Sequence, residues 1–134
     1  MKLQVNTMLA LYSVLEFAGQ PQRHIPAAEI AERYGVSAHH LAKVLAELAR
    51  AGVVESVRGV GGGYRFAANA RRLTLMDVIQ LFEDIASPPP APDAMPVDKA
   101  IGVVLTEVDQ IAKATFSSIT VATMLRMVEK HRDT

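Results

Sequence analysis

The chain contains no cysteine. That absence removes disulfides, zinc–thiolate sites and thiol catalysis at once. No apolar run is long enough to span a bilayer, and the first residues lack the basic-then-apolar order of a signal peptide. A cytoplasmic location with no membrane partner is therefore the expectation. Net charge is missing too, since 14 Lys and Arg balance 14 Asp and Glu. Histidine is scarce and scattered over His24, His39, His40 and His131. The adjacent pair would project about 100° apart on a helix, so it forms no simple chelate, and neither a metal nor a cofactor is expected. There is no nucleophile elbow and no HExxH pattern. The glycine run lacks the Gly-Lys-Ser/Thr of a phosphate loop, and Tyr64 stands where a dinucleotide fingerprint needs its last glycine. No catalytic constellation is present, so the chain is not read as an enzyme.

What is present suits one small folded domain: 134 residues, 50% of them hydrophobic. The charge is balanced overall but not locally. Between Pro21 and Arg72 there are 8 cations and 4 anions, an excess of four positive charges; from Leu73 onward 5 cations face 9 anions, an excess of four negative ones. A basic half joined to an acidic half suits a nucleic-acid-binding head on a non-binding body. The alternative is ordinary solvated surface charge.

The organising stretch runs from Pro26 to Ala67. Pro26 suits a first helical position and Glu29 the first turn, and Ile30 and Tyr34 share a face, which predicts a helix over Pro26–Tyr34. Gly35 and Val36 leave only a short turn. Ser37 can cap a second helix in which Leu41, Val44, Leu45 and Leu48 recur at helical spacing, ended by Gly52. The opposite face opens with Ala38, His39, His40, Ala42 and Lys43, small or polar side chains without aliphatic bulk. Two short helices, a glycine turn and a polar-fronted second helix form a helix-turn-helix pattern. A β-branched stretch, Val53–Val57, then leads through Gly59-Val60-Gly61-Gly62-Gly63 to Tyr64-Arg65-Phe66. This reads as a hairpin with a glycine tip, Tyr64 and Phe66 on one side and Arg65 on the other. A helix-turn-helix followed by such a wing is a winged helix. The expected fold class is mainly α with a small β-hairpin, a winged helix-turn-helix plus a long dimerisation helix.

At this point the sequence resembles the IscR/NsrR-type bacterial transcriptional regulators, the Rrf-two family. The resemblance rests on Glu29-Ile30-Ala31-Glu32-Arg33, on Leu41 through Leu48, on Ser56-Val57-Arg58-Gly59 with Gly61-Gly62-Gly63-Tyr64, and on Leu73-Thr74-Leu75 with Val78-Ile79. It covers roughly Leu3 to Met127. It implies that base contacts come from the start of the second helix and from the wing arginine. Of these positions Ser37, His39, Lys43 and Arg58 match, although the His and Lys identities differ from better-known members, so the operator sequence does not transfer. Iron–sulfur members carry three cysteines between Phe82 and the long helix. Here the span Glu83–Asp98 holds none, and Asp84, Asp93 and Asp98, separated by prolines, make a poor cluster cradle. The chain either senses by other means or does not sense.

The rest of the chain supports these parts. Leu3–Ala18 reads as a helix with one face formed by Val5, Met8, Leu9, Tyr12 and Leu15 and another by Leu11, Val14 and Ala18. It is therefore expected to be buried from two sides, and the resemblance implies packing on its own head and on a partner subunit. Gly19–His24 reads as a loop. Thr74 to Asp77 has capping-box spacing, and Leu75, Val78, Ile79 and Phe82 form the face of the helix that follows. Glu83 and Asp84 close that helix with charges opposing its dipole. Ser87–Pro96, with five prolines, reads as an extended linker rather than a polyproline recognition motif. From Val97 to Phe116, Val97, Ile101, Val104, Val108, Ile111 and Thr115 alternate steps of four and three, a heptad seam suited to the same helix of a second chain. The alternative is a helix of the chain's own core. Ser117–Thr120 reads as a break. Val121, Met124, Leu125 and Val128 form a last helix before a charged, frayed tail. The divisions are thus 1–82, 83–96 and 97–134.

Double-stranded DNA with a near-palindromic operator, and a second copy of the chain, are the expected partners. Ser37, His39, His40 and Lys43 front the recognition helix, where imidazole and ammonium donors suit guanine acceptors or phosphate. Arg58 suits a narrow minor groove, with Gly61 allowing close backbone approach. Tyr64 and Arg65 are placed to touch phosphates. For Tyr64 the alternative is core packing beneath the wing, and for His40 it is contact with a neighbouring helix. The reading is a homodimeric transcriptional repressor without an iron–sulfur cluster. It leaves room for a small-molecule effector in the crevice between the long helix and the winged head. The competing reading is a winged helix that contacts proteins and has lost DNA.

Overall fold

The computed structural model describes residues 1–132. Its elements are α1 (Val5–Gly19), α2 (Ala27–Tyr34), α3 (Ala38–Arg50), β1 (Val54–Val57), β2 (Gly63–Phe66), α4 (Leu75–Ile79), α5 (Pro96–Ser118) and α6 (Val121–Arg132). The four apolar positions that recur along α3, Leu41, Val44, Leu45 and Leu48, are all buried. They meet Leu9, Ala10, Val14 and Phe17 of α1, Ile30 and Ala31 of α2, Val78 of α4 and Val121 of α6 in one core. Helical spacing thus produces a stripe on each short helix, and the stripes close on one another.

Local chemistry sets the joints. Ser37 Oγ accepts from the His40 N–H at 3.0 Å, capping α3. Pro26 is the residue before α2 rather than its first helical position, and Gly35 ends that helix in the left-handed region at φ 65°. The capping box at Thr74 forms with Asp77 in the reciprocal role. Aspartate serves there because both bonds close over the same short turn. The hairpin pairs Val54 with Phe66, Glu55 with Arg65, Ser56 with Tyr64 and Val57 with Gly63. The presumed Gly19–His24 loop leads into Ile25, which is buried and bridges Tyr64 through two backbone bonds of 2.8 and 2.9 Å. The wing therefore has a third backbone partner, too short to leave a strand pattern in the sequence.

Three expectations are corrected. First, α1 begins at Val5, not Leu3; within its own subunit the helix buries Leu9, Ala10, Val14 and Phe17, with Thr7 and Ser13 beside them, and the face expected to meet a partner subunit is not tested by a single chain. Val5 and Tyr12 stay exposed. The two buried hydroxyls disguise the true face, and both are satisfied, Ser13 by the Leu9 carbonyl at 2.8 Å and Thr7 by Glu83 at 2.5 Å. Second, Glu83 and Asp84 do not end α4, which stops at Ile79. The Glu83 carboxylate accepts from the Gln4 N–H at 2.8 Å, placing its charge at the N-terminus of α1 where the helix dipole favours it. Third, α5 contains no buried residue, which overturns its reading as an intramolecular core helix. It continues through Ser117 and Ser118, and the break falls at Ile119 and Thr120.

The proline segment is strapped to α5. The Ser87 N–H donates to Asp109 at 2.7 Å, and a Cβ on Gly102 would lie only 2.6 Å from Pro90 Cγ. After α5 the chain returns to the head: the Val121 N–H donates to the Leu73 carbonyl at 2.8 Å, the Leu75 N–H to the Ile119 carbonyl at 2.9 Å, and α6 packs on α1. Lys130 to Arg132 are helical; the remainder of the expected frayed tail lies outside the described residues.

The wing glycines should separate by mechanism. A Cβ on Gly63 would sit 2.6 Å from the Ile25 backbone, so Gly63→Ala should cost about 1–3 kcal/mol in urea unfolding. Gly61, at φ 77° with nothing near its missing Cβ, should cost about 1 kcal/mol as alanine, from backbone strain alone.

Candidate nucleic-acid interface

The first turns of α3 project from the head. Ser37, His39, His40 and Lys43 are all exposed. His40 is not idle, since its Nε2 lies 2.6 Å from Asn6 Oδ1 on α1. The neighbouring-helix contact considered for it is present, and it fixes the ring beside the front of α3. Asn6 escaped sequence reasoning, because one polar residue at the start of an apolar helix carries no periodic signal. Tyr64 is half-buried, its ring 6.3 Å from that of Phe17; Phe66, next on the same side, also packs against the core. Arg65 points away from the core and pairs with Glu55, directly opposite on the hairpin. Arg58 and Gly61 are exposed on the loop joining the strands, with Val60 wholly exposed between them.

The ion pairs sort the cations of the basic half. Arg23 is held by Glu29 at 2.7 Å and Arg33 by Glu16 at 2.6 Å, while Arg50 pairs with Glu47 and Arg65 with Glu55. The Glu29 carboxyl is held below its usual range, first by its hydrogen bond from Arg23. Among the described residues, Lys43 on α3, Arg58 on the wing and Arg71 and Arg72 just beyond it enter no ion pair. Positive charge left uncompensated at the helix front and the hairpin tip is available to phosphate or to a base edge.

Behind this surface α2 is locked to α1. Glu16 accepts from the Tyr34 phenol at 2.7 Å as well as from Arg33. The Arg33 guanidinium is held above its ordinary value by that bond. The Tyr34 phenol is pushed up chiefly by burial, then by its bond to Glu16.

An open notch of about 470 Å³ lies between the proline strap and α5, lined by Pro89, Pro90, Lys99 and Glu107 among others; no residue of the winged head lines it, so it is not the crevice expected between the long helix and the head. It offers no thiolate. Among the described residues no three His, Asp or Glu side chains come together to hold a metal. Glu83 and Asp109, on either side of the proline segment in sequence, already accept backbone N–H groups.

An exposed, serine-capped helix after a glycine turn, followed by a glycine-tipped hairpin, defines a winged helix-turn-helix transcriptional regulator. The chain belongs to the Rrf2 family, described as iron-dependent transcriptional regulators, which it matches over residues 3–127. It is 46% identical to the HTH-type transcriptional regulator named BadM of Rhodopseudomonas palustris, over 98% of this chain and 86% of that protein. It is 38% identical to IscR of Vibrio campbellii over 63% of this chain, about half (51%) of IscR. The fold is similar to that of CymR, the global cysteine regulator of B. subtilis, with a TM-score of 0.82 at 23% identity over 95% of this chain and 98% of that one. It is also similar to T. potens IscR, with a TM-score of 0.74 at 27% identity over 98% and 90% of the two chains. These relatives are named as regulators, not as enzymes. The chain has no thiolate, and among the described residues no cluster of His, Asp or Glu replaces one, so these residues do not fit the iron of the family's description. Among the described residues no helix is long and apolar enough to cross a membrane.

The Tyr34 phenol yields a pH prediction. With its folded value above the unfolded one, its contribution is complete below about pH 10 and is lost as pH rises through the folded value. The stability difference between the wild type and Tyr34→Phe should therefore stay constant below about pH 10 in thermal melts and shift only above it, where the wild type alone loses stability as pH rises.

Proposed function

We propose that this protein is a homodimeric, sequence-specific transcriptional repressor of the cytoplasm that works without an iron–sulfur cluster. The observation that carries the reading is the uncompensated charge. Acidic neighbours neutralise the arginines at the rear and flanks of the head, and leave Lys43 and Arg58 bare on the two elements that can enter grooves. Ser37, His39 and His40 would meet the major groove, with His40 steadied by Asn6. Arg58 and Gly61 would approach the minor groove, and Tyr64 and Arg65 would approach phosphates from the wing. The half-burial of Tyr64 and the Glu55 pairing of Arg65 make these last two the weaker contributors.

Pairing is supported by α5. Val97, Ile101, Val104, Val108 and Ile111 are each more than half exposed along one seam. An apolar stripe of this length on a soluble chain calls for a partner, and a second α5 matches its heptad spacing. In this reading residues 1–82 read DNA, 83–96 stand at the sensor position and 97–134 carry the pairing helix. Two recognition helices would meet a near-palindrome about one helical turn apart.

Arg58→Ala should weaken operator binding by roughly 1–3 kcal/mol, and Lys43→Ala should lower the slope of log affinity against log salt by about one. Wild-type affinity and slope in both variants would sink the assignment. Ile101→Asp with Val108→Asp should yield a monomer by sedimentation, with the helix content of the head retained; an intact dimer would move the interface elsewhere.

A further inference from the structure

The segment that follows α4 is tied at two points. At its start, a single oxygen of Glu83, Oε2, accepts from the Gln4 N–H at 2.8 Å and from the Thr7 hydroxyl at 2.5 Å. Further on, the Ser87 N–H donates to Asp109 of α5 at 2.7 Å, and between the two ties the Ala86 N–H closes on Asp84 at 2.9 Å. Residues 83–87 therefore run from the first turn of α1 to the long helix. The proline run begins directly after them, and proline has no N–H with which to add a tie.

The tie at α1 completes a cap that the helix cannot make for itself. Gln4 is the residue before α1 and has no side-chain cap. Its N–H and the side chain at the third helical position, Thr7, are the two places of a capping box, which needs an acceptor that a threonine hydroxyl does not bring from there. Glu83 supplies that acceptor from 79 positions away. Thr7 is buried, so without the carboxylate its hydroxyl has no water to turn to. Asn6 sits on this same turn. Its Oδ1 lies 2.6 Å from His40 Nε2, and since that oxygen only accepts, the ring donates from Nε2. The His40 backbone is held as well, its N–H donating to Ser37 Oγ at 3.0 Å. Among the described residues the side chains of His39 and Lys43 enter no hydrogen bond or ion pair, so Asn6 is the side-chain tie between the front of α3 and another helix. Asn6 and His40 are both exposed. An exposed bond of this kind restrains a ring only where the turn that carries its partner is itself fixed.

We infer that Glu83 and Asn6 are positioning residues for DNA recognition: Glu83 fixes the first turn of α1, and Asn6 on that turn fixes His40 at the front of α3. This role rests on the DNA-binding reading above and deepens it. Neither residue needs to touch DNA. The segment between α4 and α5 thereby reaches the recognition helix in two hydrogen-bonded steps.

The test uses the full chain and a duplex that the wild type selects from random sequence, set against a scrambled duplex of the same composition at fixed salt. The quantity read is the ratio of the two affinities. Asn6→Ala and Glu83→Ala should each lower it about fivefold, the scale of one net hydrogen bond. Glu83→Gln, which keeps an oxygen for both donors, should restore most of it. In Asn6→Ala, binding to scrambled duplex and the salt slope should stay at the wild-type values, because no cation is lost. His40→Ala should lower the ratio at least as far, and Asn6→Ala should add nothing in that background. Should Glu83→Ala not fold, Glu83→Asp, which withdraws the carboxylate by one methylene, should show the same loss in smaller measure. Relaxation of the His40 ring carbons in the free protein needs no DNA: the ring should be as ordered as the helix backbone in the wild type and mobile in Asn6→Ala and in the Glu83 variant that breaks the tie. A wild type that selects no duplex overturns this role and the DNA-binding reading together. A wild type that discriminates, with Asn6→Ala and the Glu83 variants discriminating equally well, overturns this role alone, and so does a His40 ring whose order is the same in all of them.

Discussion

Everything in the head depends on one buried face of α1. Leu9, Ala10, Val14 and Phe17 are almost without solvent contact, and α3, α4, α6 and β2 all pack against this helix. Burial of this kind has no directional preference, so the orientation of the neighbours comes from polar ties at the margins of α1. Glu83 holds its first turn, Asn6 meets the recognition helix, and Glu16 clasps α2. Apolar area gathers the helices, and a few hydrogen bonds at the edge fix how they sit.

That division of labour shapes the electrostatics. A chain with no net charge presents a basic surface because its anions are placed selectively. Glu16 of α1, Glu29 of α2, Glu47 of α3 and Glu55 of β1 each sit against an arginine. Such exposed pairs contribute little to stability. Their effect is on the field: they offset Arg23, Arg33, Arg50 and Arg65, and leave Lys43, Arg58, Arg71 and Arg72 outside any ion pair among the described residues. The acidic excess falls in the second half of the chain, where α5 and its strap lie.

The winged helix could be read from sequence because its parts are announced locally. Ser37, Gly35, the Leu41–Leu48 stripe and the Thr74–Asp77 box each bring about a feature within a few residues of themselves. What escaped was set at a distance. The two hydroxyls on the buried face of α1 are satisfied by a carbonyl one turn back and by a carboxylate 76 positions away, so apolar periodicity alone did not mark Thr7 and Ser13 as buried. Ile25 joins the wing through backbone bonds that no side-chain pattern encodes. The site was partly visible in the same way. Exposure of His39, Lys43 and Arg58 follows from their place on helix front and loop tip. The ties of His40 to Asn6 and of Arg65 to Glu55 needed the third dimension.

Pairing along the bare seam of α5, if it occurs as proposed, would make abundance a regulatory variable. The two-headed form would stand in equilibrium with separate chains, and its population would rise with the square of a dilute supply. Where only the paired form spans both halves of an operator, modest changes in synthesis or breakdown give a steeper response than a one-headed reader could. That sharpness needs no iron, no thiol and no bound signal.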